Sequence, residues 1–155
     1  MKKVLFISST GGHLNELLQL SRTMKKYDSY IITEKTKSTL GLIDKYGSKI
    51  KFLKYGTKSH LSYIYIFPWN CIKSLFYFIK IRPSVVVTTG AHTGVIMCYI
   101  AKLFRKKVIY IETFANIKTK SMSGKLVYPI ADMFVVQWES MLNLYPKAFY
   151  GGWIF

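Results

Sequence analysis

Acidic residues are scarce in this sequence, where 7 Asp and Glu stand against 23 Lys and Arg and give a formal net charge of +16. The few carboxylates form no Asp-x-Asp motif and no evident cluster, so the sequence predicts no carboxylate-bound Mg²⁺ site. The excess of positive charge favours an anionic partner, which could be a nucleic acid, an acidic membrane surface or a phosphorylated substrate.

Cysteine is even rarer. Cys71 and Cys98 each lie inside an apolar stretch, without a second pair or a histidine at the spacing of metal ligands. The sequence therefore predicts buried, reduced thiols and no metal centre.

Linkers and long N-terminal apolar runs are missing as well. No repeat and no Pro/Gly/Ser-rich stretch divides the 155 residues, and 50% of them are hydrophobic, so we expect a single domain over residues 1–155.

The apolar run that follows the two N-terminal lysines stops at Ser8. It is shorter than the roughly 7 to 15 residues of a signal-peptide core, which predicts a cytoplasmic protein.

Apolar runs and turn residues alternate along the chain. Val4–Ile7 is typical of a strand buried on both faces, and a glycine turn then leads into a helix with apolar residues at helical spacing from Leu14. Further strands are predicted at 29–33, 49–55, 85–89, 108–111 and 133–136, and helices at 39–46, between 55 and 85, at 94–104 and at 123–131. This alternation predicts an α/β fold with a Rossmann-like, doubly wound, mostly parallel sheet.

The segment Leu61–Ile81 is the most apolar part of the chain and is as long as a membrane span. Four residues interrupt it, namely Pro68, Asn70, Lys73 and Lys80. Each charge at bilayer depth would cost roughly 2.5 to 3.5 kcal/mol, which disfavours a spanning helix. The pattern favours an amphipathic helix with one apolar stripe that the sheet could bury, formed by Ile72, Leu75, Phe76 and Ile79.

The start of this segment is rich in aromatic residues of the kind found at membrane interfaces, with lysines nearby. We expect monotopic contact with an anionic membrane through Tyr63, Ile64, Tyr65, Ile66, Phe67, Trp69 and Lys73. A basic nucleic-acid-binding α/β protein is the alternative. That class needs clustered basic residues and base-stacking aromatics, whereas the aromatics here lie in apolar runs, so no nucleic-acid partner is expected.

Two glycine-containing turns each close a predicted strand and open a helix. They are Thr10-Gly11-Gly12-His13 and Gly90-Ala91-His92-Thr93-Gly94. Backbone N–H groups at a helix start can point at an anion and glycine permits a close approach, so we expect both turns to meet a phosphate- or sugar-bearing ligand in one crevice. His13 is placed to act as a general base on a sugar hydroxyl, and the alternative is a tight turn with a surface histidine.

Polar residues also follow the strand at 108–111. Glu112, with Thr113 and Asn116 behind it, is expected to bind a sugar hydroxyl, and an ion pair with a basic residue is the alternative. His60, in a loop that contains Lys and Ser, is not expected to bind a ligand.

Three motifs together resemble the amino-terminal half of GT-B glycosyltransferases, namely Gly11-Gly12-His13, Thr89-Gly90-Ala91-His92-Thr93-Gly94 and Glu112-Thr113-Phe114-Ala115. Their order is most similar to the PssD and Alg-type acceptor-subunit family of oligosaccharide and capsular polysaccharide synthesis. MurG-like enzymes are more distant relatives in which the amino-terminal half binds a lipid-linked acceptor and the other half binds the nucleotide sugar.

The resemblance implies a split enzyme, since this chain has room for one half only. A separate donor-binding subunit would carry the UDP-sugar, this chain would hold no cofactor, and it would be inactive or weakly active alone. The acceptor would be a polyprenyl-diphosphate-linked sugar at the cytoplasmic face of the cell membrane. Capsule-type members imply β-1,4-galactosyl transfer.

The resemblance also assigns roles to residues. His13 would be the base or orienting residue, and Gly11 and Gly12 would approach the acceptor's diphosphate or the donor across the cleft. Gly90–Gly94 would form a second acceptor or phosphate loop, and Glu112 would contact a sugar. A self-sufficient small transferase is the alternative, with Glu34 as a ribose-binding carboxylate. The apolar, aromatic end, Ala148–Phe155, is expected either to add a last strand or to dock the donor subunit.

Overall fold

The computed structural model describes residues 1–56 and 61–154, so that His60 and Phe155 lie outside the described residues. One sheet of seven strands runs in the order β3-β2-β1-β4-β5-β6-β7. The strands are β1 (Lys3–Ile7), β2 (Asp28–Lys35), β3 (Ile50–Lys54), β4 (Val85–Thr88), β5 (Lys107–Ile111), β6 (Met133–Val136) and β7 (Phe149–Tyr150). The helices are α1 (Gly12–Gln19), α2 (Ser21–Met24), α3 (Lys37–Leu40), α4 (Leu42–Tyr46), α5 (Tyr63–Ile81), α6 (Ala91–Leu103) and α7 (Met122–Val127), with 3-10 turns at Gly47–Lys49 and Glu139–Asn143.

Every neighbouring pair of these strands is parallel. The strand order reverses between β1 and β4, whose ends lie side by side with Ile7 opposite Thr88. Open α/β sheets bind ligands at such a reversal, outside the carboxyl ends of the strands. The two glycine turns predicted from the sequence therefore start at neighbouring positions.

The sheet is covered on both faces, because successive side chains of a strand point to opposite sides. In β1, Leu5 and Ile7 belong to a core cluster shared with α5, α6 and α7. Val4 and Phe6 belong to a second cluster that includes Leu17 of α1. Two buried faces explain why β1 is continuously apolar and confirm the predicted doubly wound fold.

Several predicted boundaries differ from the structure. The helix expected at 39–46 is two short helices with Gly41 between them, and the first begins early because the amide of Thr36 is capped by the hydroxyl of Thr39 at 2.9 Å. The helix expected at 123–131 ends at Val127. The terminal segment contributes β7 beside β6, which was one of its two expected arrangements.

The largest correction concerns α5, which begins at Tyr63, so the aromatic residues lie inside the helix. Its buried residues are Asn70, Ser74, Phe78 and Ile81. The stripe expected to be buried, Ile72, Leu75, Phe76 and Ile79, is exposed, so that prediction was wrong.

A polar contact explains why α5 turns a different face to the sheet from the one expected. The side chain of Asn70 donates to the carbonyl of Lys54 at 2.8 Å and accepts from the amide of Lys54 at 3.0 Å. β3 is an edge strand with one row of backbone groups left unpaired, and the carboxamide satisfies two of them. Ser74, a small residue, is fully buried on the same helix face.

Burial of the two thiols differs. Cys98 is buried, and burial raises the pKa of its thiol to about 12. Cys71 is only partly buried, contrary to expectation, because it lies on α5 between the buried and exposed faces. Within residues 1–56 and 61–154, no helix combines the length and the hydropathy that crossing a bilayer requires.

Candidate functional site

The turns after β1 and β4 are joined by two hydrogen bonds. His13 Nδ1 lies 2.9 Å from the carbonyl oxygen of Thr89, and the Thr89 hydroxyl donates to the carbonyl of His13 at 2.6 Å. A carbonyl oxygen only accepts, so Nδ1 carries the hydrogen, and in the neutral ring Nε2 keeps its lone pair. The turn therefore holds an imidazole with a basic nitrogen left for other contacts.

The first turn is open towards solvent. Gly11 has φ 90°, a conformation that favours glycine, and both Gly11 and Gly12 are exposed at the start of α1. The backbone of Thr10 is tied to β2, since its amide donates to Glu34 at 3.2 Å. The two exposed glycines therefore leave their backbone groups accessible beside His13.

The second turn is more tightly packed. A Cβ on Gly90, which has φ 114°, would lie 2.9 Å from the Tyr110 hydroxyl and 3.0 Å from Ser123 Oγ. Ala91 follows with φ 63°, a strained conformation for a residue with a side chain. Strain of this kind persists where surrounding contacts fix the backbone. Here the amide of Ala91 donates a hydrogen bond to Ser123 Oγ at 3.3 Å.

Two expected ligand contacts of this turn are used inside the protein. Thr93 is buried, and its hydroxyl lies 2.9 Å from Ser9 Oγ. Gly94 is buried where α6 crosses β4, and a Cβ there would collide with Thr88 Oγ1. The parts of this turn that remain partly exposed are Ala91 and His92.

A cleft of about 610 Å³ lies in front of both turns. Its polar lining is His13, His92, Ser121 and Ser123, and its apolar lining includes Tyr63, Phe67, Ile96, Met122 and Leu126. The cleft thus offers hydrogen-bonding groups at the strand ends and an apolar wall made by α5, α6 and α7. Such a combination fits a ligand with a polar head and an apolar extension.

Glu112 lies beneath the cleft and is only 1% exposed. Its Oε2 accepts from the hydroxyls of Ser121 at 3.0 Å and Tyr145 at 2.9 Å, and its Oε1 accepts from the amide of Thr113 at 3.0 Å. With both oxygens engaged, the carboxylate positions Ser121 rather than reaching a sugar itself. The direct contact expected from the sequence does not fit this arrangement.

The packing around Glu112 is tight. A Cβ on Gly124 would collide with the Glu112 carboxylate, which explains the glycine in α7. Burial first, and then the neighbouring Glu112 carboxylate, raise the pKa of both Tyr145 and Tyr110.

Thr113 and Asn116 were expected to face the ligand as well. The hydroxyl of Thr113 donates to Glu16 at 2.7 Å and links the end of β5 to α1. Asn116 is partly exposed in the following turn, where its amide donates to the carbonyl of Thr113 at 3.2 Å. Neither residue is among those that line the cleft.

Sequence reasoning missed several residues of the site. Ser121 and Ser123 line the cleft, and Ser121 also caps α7 by accepting from the Gly124 amide at 2.9 Å. The signal was a Ser-x-Ser-Gly pattern at a helix start. Tyr63 was expected at the membrane but lines the cleft, because it lies on the inner side of α5.

The remaining predicted membrane residues divide between two surfaces. Exposed apolar residues follow one side of α5, and we call them the α5 face, which consists of Ile64, Tyr65, Phe67, Trp69, Ile72, Leu75, Phe76 and Ile79. Ile66 and Lys73 instead line a groove of about 420 Å³ with Lys35 and Lys54. The Lys54 ammonium lies 5.0 Å from the ring centre of Trp69, so the basic groove adjoins the α5 face.

An aromatic cluster lies at the carboxyl ends of β5 and β6. Trp138 Nε1 donates to the carbonyl of Phe114 at 2.8 Å, and the Trp153 ring meets Phe114 edge-on at 5.1 Å between ring centres. Trp153 is 69% exposed although it packs on two other aromatic rings. Among the described residues, no group of three or more His, Cys, Asp or Glu is placed to hold a metal ion.

Comparison with known families gives a match over nearly the whole chain. A family model described as "Oligosaccharide biosynthesis protein Alg14 like" matches residues 4–154. The chain is 30% identical to the "UDP-N-acetylglucosamine transferase subunit ALG14" of Yarrowia lipolytica, over 97% of this chain and 80% of that protein. It is 28% identical to the protein of the same name from Mus musculus, over 97% of this chain and 82% of that protein.

Solved structures confirm the predicted fold, which is that of the amino-terminal half of a GT-B glycosyltransferase. MurG of Acinetobacter baumannii superposes with a TM-score of 0.72 at 13% identity, over 90% of this chain and 43% of that chain. UDP-GlcNAc 2-epimerase of Methanocaldococcus jannaschii, solved with UDP-GlcNAc and UDP, gives a TM-score of 0.72 at 17% identity, over 95% and 43% of the two chains. This chain therefore spans less than half the length of those proteins.

Proposed function

Because this chain belongs to the Alg14-like family of oligosaccharide biosynthesis proteins, we propose that it is the acceptor-binding subunit of a two-subunit glycosyltransferase. The observation that carries the proposal is the cleft, whose histidines stand at the strand ends and whose apolar wall continues into the α5 face through Phe67. A lipid-linked sugar has the same division into a polar head and an apolar chain. The family's named members are subunits of a transferase, which supports the same reading.

The polar end of the cleft receives the acceptor's sugar and diphosphate. The exposed amides of Gly11 and Gly12 stand at the start of α1, where the helix dipole favours an anion. His92 and Ser121 line the same end and supply further polar groups. The formal charge of +16 assists the approach of an anionic acceptor.

His13 is the general base of the transfer. Its Nδ1 is held by the Thr89 carbonyl, and Nε2 takes the proton from an acceptor hydroxyl. The hydroxyl oxygen forms a bond to the anomeric carbon of the donor sugar while that carbon's bond to the nucleoside diphosphate breaks. The nucleoside diphosphate leaves with the electron pair of the broken bond.

A separate subunit supplies the nucleotide sugar. This chain corresponds to one half of the two-domain enzymes whose fold it shares, and a donor must be presented across the cleft from His13. The exposed Trp153, backed by Phe114 and Trp138, forms the docking surface for that subunit. Aromatic anchors of this kind are enriched at protein interfaces.

The donor sugar is N-acetylglucosamine, carried as UDP-GlcNAc. The relatives are named for that sugar, and nothing in the comparisons supports the galactose and the capsule pathway expected from the sequence. The acceptor is a polyprenyl-diphosphate-linked sugar, since the apolar wall and the anion-binding turn are adjacent.

The protein works at the cytoplasmic face of a membrane to which it attaches peripherally. The α5 face supplies apolar and aromatic side chains, and the adjoining groove supplies Lys35, Lys54 and Lys73 for acidic lipids. This arrangement brings the open end of the cleft to the bilayer, where the lipid tail of the acceptor remains.

Reconstitution tests the proposal directly. Membranes that contain this chain, the donor-binding subunit or both are assayed with labelled UDP-GlcNAc and a polyprenyl-diphosphate-linked sugar. We expect transfer only when both chains are present. Full transfer by this chain alone would establish a self-sufficient enzyme and overturn the two-subunit proposal.

A further inference from the structure

Glu34, at the carboxyl-terminal part of β2, is a buried carboxylate that contacts both turns of the site. It is 2% exposed, its Oε2 accepts from the amide of Thr10 at 3.2 Å, and its Oε1 lies 3.2 Å from His92 Nε2. Among the described residues, no Lys or Arg forms an ion pair with it. A buried charge is costly unless nearby groups compensate it, and the groups beside this carboxylate are the donating Thr10 amide and the His92 ring.

The contact between Glu34 and His92 is close but poorly aligned. Neither Oε1 nor Nε2 makes a hydrogen bond within the described residues, although both atoms are buried. The ring is held from another side by Tyr63, whose ring meets it nearly edge-on with 5.7 Å between centres. His92 nevertheless lines the cleft, so a small rotation of this ring changes what the cleft presents.

Glu34 Oε1 faces His92 Nε2 at 3.2 Å, and although the pair is not aligned as a hydrogen bond, the carboxylate attracts an N–H and repels a lone pair at that nitrogen. An ionised carboxylate only accepts, so the nitrogen that faces it, Nε2, is the protonated one in the neutral ring. Nδ1 then keeps the lone pair. His13 has the opposite arrangement, since its Nδ1 faces the carbonyl of Thr89.

We propose that Glu34 is a positioning residue that fixes His92 as the Nε2–H tautomer, so that Nδ1 accepts a hydrogen bond from a hydroxyl or amide N–H of the acceptor sugar. The tautomer follows from the contacts of this chain alone. The role of Nδ1 in binding rests on the proposed function. The cleft thus combines two imidazoles that present opposite ring nitrogens, one for proton removal and one for recognition.

Nitrogen NMR of the full chain tests the tautomer without any transferase activity. Of the three histidines in the sequence, His13 and His92 are identified by single substitutions, and spectra are recorded at a pH where the rings are neutral. We expect a protonated Nε2 for His92 and a protonated Nδ1 for His13. A protonated Nδ1 on His92 in the unaltered chain would overturn the proposal.

Glu34→Gln provides the decisive variant. The Gln oxygen can still accept from the Thr10 amide while its NH₂ group faces His92, so the hydrogen should move from Nε2 to Nδ1 of that ring. Glu16→Gln is the matched control, because Glu16 accepts from Thr113 and Phe114 and has no histidine contact among the described hydrogen bonds. We expect Glu16→Gln to leave His92 unchanged, and an unchanged His92 in folded Glu34→Gln would contradict the proposal.

A double-mutant cycle tests the binding role in the reconstituted complex. Loss of one neutral hydrogen bond should lower kcat/KM for Glu34→Gln about 3- to 10-fold, mainly through KM. If Glu34 acts through His92, adding Glu34→Gln to His92→Ala should cause no further loss. Additive losses would refute the coupling, whereas absence of transfer by the unaltered complex would refute the proposed function and leave the NMR result standing.

Discussion

His13 and Thr89 are joined by a reciprocal pair of hydrogen bonds, one from ring Nδ1 to the carbonyl and one from the hydroxyl to the carbonyl of His13. The pair links the turns after β1 and β4 across the point where the strand order reverses. It also separates the two ring nitrogens by function, because Nδ1 holds the turns together and Nε2 is left for chemistry. Substitutions that replace one nitrogen and not the other can therefore distinguish structure from catalysis.

His13→Asn should preserve the fold and remove the base. The Asn amide can occupy the place of Nδ1 and donate to the Thr89 carbonyl, but nothing replaces Nε2. We expect transfer by the reconstituted complex to fall about 10²- to 10⁴-fold, as for loss of a general base. The free energy of unfolding, measured in urea, should stay within about 0.5 kcal/mol of the unaltered chain.

His13→Ala is the comparison for this variant. It loses the base and the hydrogen bond together, so it should be about 1 kcal/mol less stable and equally impaired in transfer. Full activity of His13→Asn would remove His13 as the base.

Gly94 should tolerate no side chain. A Cβ at this position would collide with Thr88 Oγ1, where α6 crosses β4. We expect Gly94→Ala to lower the free energy of unfolding by about 1–3 kcal/mol, as for an overpacked core. Urea denaturation provides the measurement, and equal stability would show that α6 can shift without cost.

Gly12→Ala is the matched control for that prediction. The same added methyl group would meet nothing within 4 Å at the start of α1. Stability should change by less than about 0.5 kcal/mol. A loss as large as that of Gly94→Ala would show that the collision with Thr88 does not explain the effect at Gly94.

Tyr145→Phe should weaken the support of the cleft in a pH-dependent way. The hydroxyl donates to Glu112, and its removal should cost about 1–3 kcal/mol near pH 7. Burial, followed by the Glu112 carboxylate, raises the pKa of Tyr145 above its ordinary value of about 10. The unfolded chain then loses this proton first, so the stability of the unaltered protein should fall as the pH rises above about 10.

The variant lacks that ionisation, so its stability should fall less steeply over the same range, with Tyr110 accounting for part of the remaining slope. Urea titrations at several pH values give the comparison. Tyr65→Phe, which alters an 81% exposed phenol on α5, is the control and should reproduce the slope of the unaltered chain. Parallel slopes for Tyr145→Phe and the unaltered protein would contradict a raised pKa of Tyr145 in the folded protein.

The sheet was predictable from local patterns because both of its faces are buried. A strand such as Val4–Ile7 is continuously apolar, and the turns that follow β1 and β4 carry glycine, so element type and order could be inferred from the sequence. The orientation of α5 could not. Hydropathy favours burying Ile72 and Phe76, but the backbone groups of the edge strand β3 are satisfied by Asn70, and a hydropathy pattern carries no information about that requirement.

The site was predictable only where a residue's role depends on its position at a strand end. His13 and His92 lie at the starts of the helices that follow β1 and β4, and both line the cleft. Glu112 directly follows β5, yet Ser121 and Tyr145, which are distant in sequence, surround it. Whether a polar side chain at a strand end faces the ligand or the core depends on such long-range partners.

The α5 face should bind membranes without contributing much to stability. Ile72 and Phe76 are exposed, so changing both to Ser should alter the free energy of unfolding by less than about 1 kcal/mol. Their insertion into a bilayer is worth about 1.5–3 kcal/mol each, so binding to anionic liposomes should fall at least tenfold. Cosedimentation with liposomes at low salt measures this effect.

Ile43→Ser is the control, because Ile43 is an exposed apolar residue on α4, away from the α5 face. It should leave liposome binding unchanged. A purified protein that fails to bind anionic liposomes at all would refute the membrane proposal. A large loss of stability on changing Ile72 and Phe76 would instead indicate that the stripe is buried in solution.

Trp153 should contribute to association with the donor-binding subunit more than to folding. Trp153→Ala removes a ring that is 69% exposed, so the free energy of unfolding should fall by about 1 kcal/mol or less. An aromatic anchor at the centre of an interface is typically worth 2 kcal/mol or more, so the dissociation constant of the complex should rise about 30-fold or more.

The deletion of residues 151–155 retains β7 and should also weaken association more than folding, but it costs more stability than Trp153→Ala because it removes the Gly151–Val136 hydrogen bond and the packing of Ile154 on the core. Tyr150→Ala, a half-exposed aromatic residue in that strand, is the matched control and should leave the dissociation constant within about threefold. Calorimetry of the two purified subunits and urea denaturation of this chain give the two quantities. If Trp153→Ala reduced stability and affinity by the same free energy, the ring would be a structural cap on β6, and the donor subunit would have to dock elsewhere.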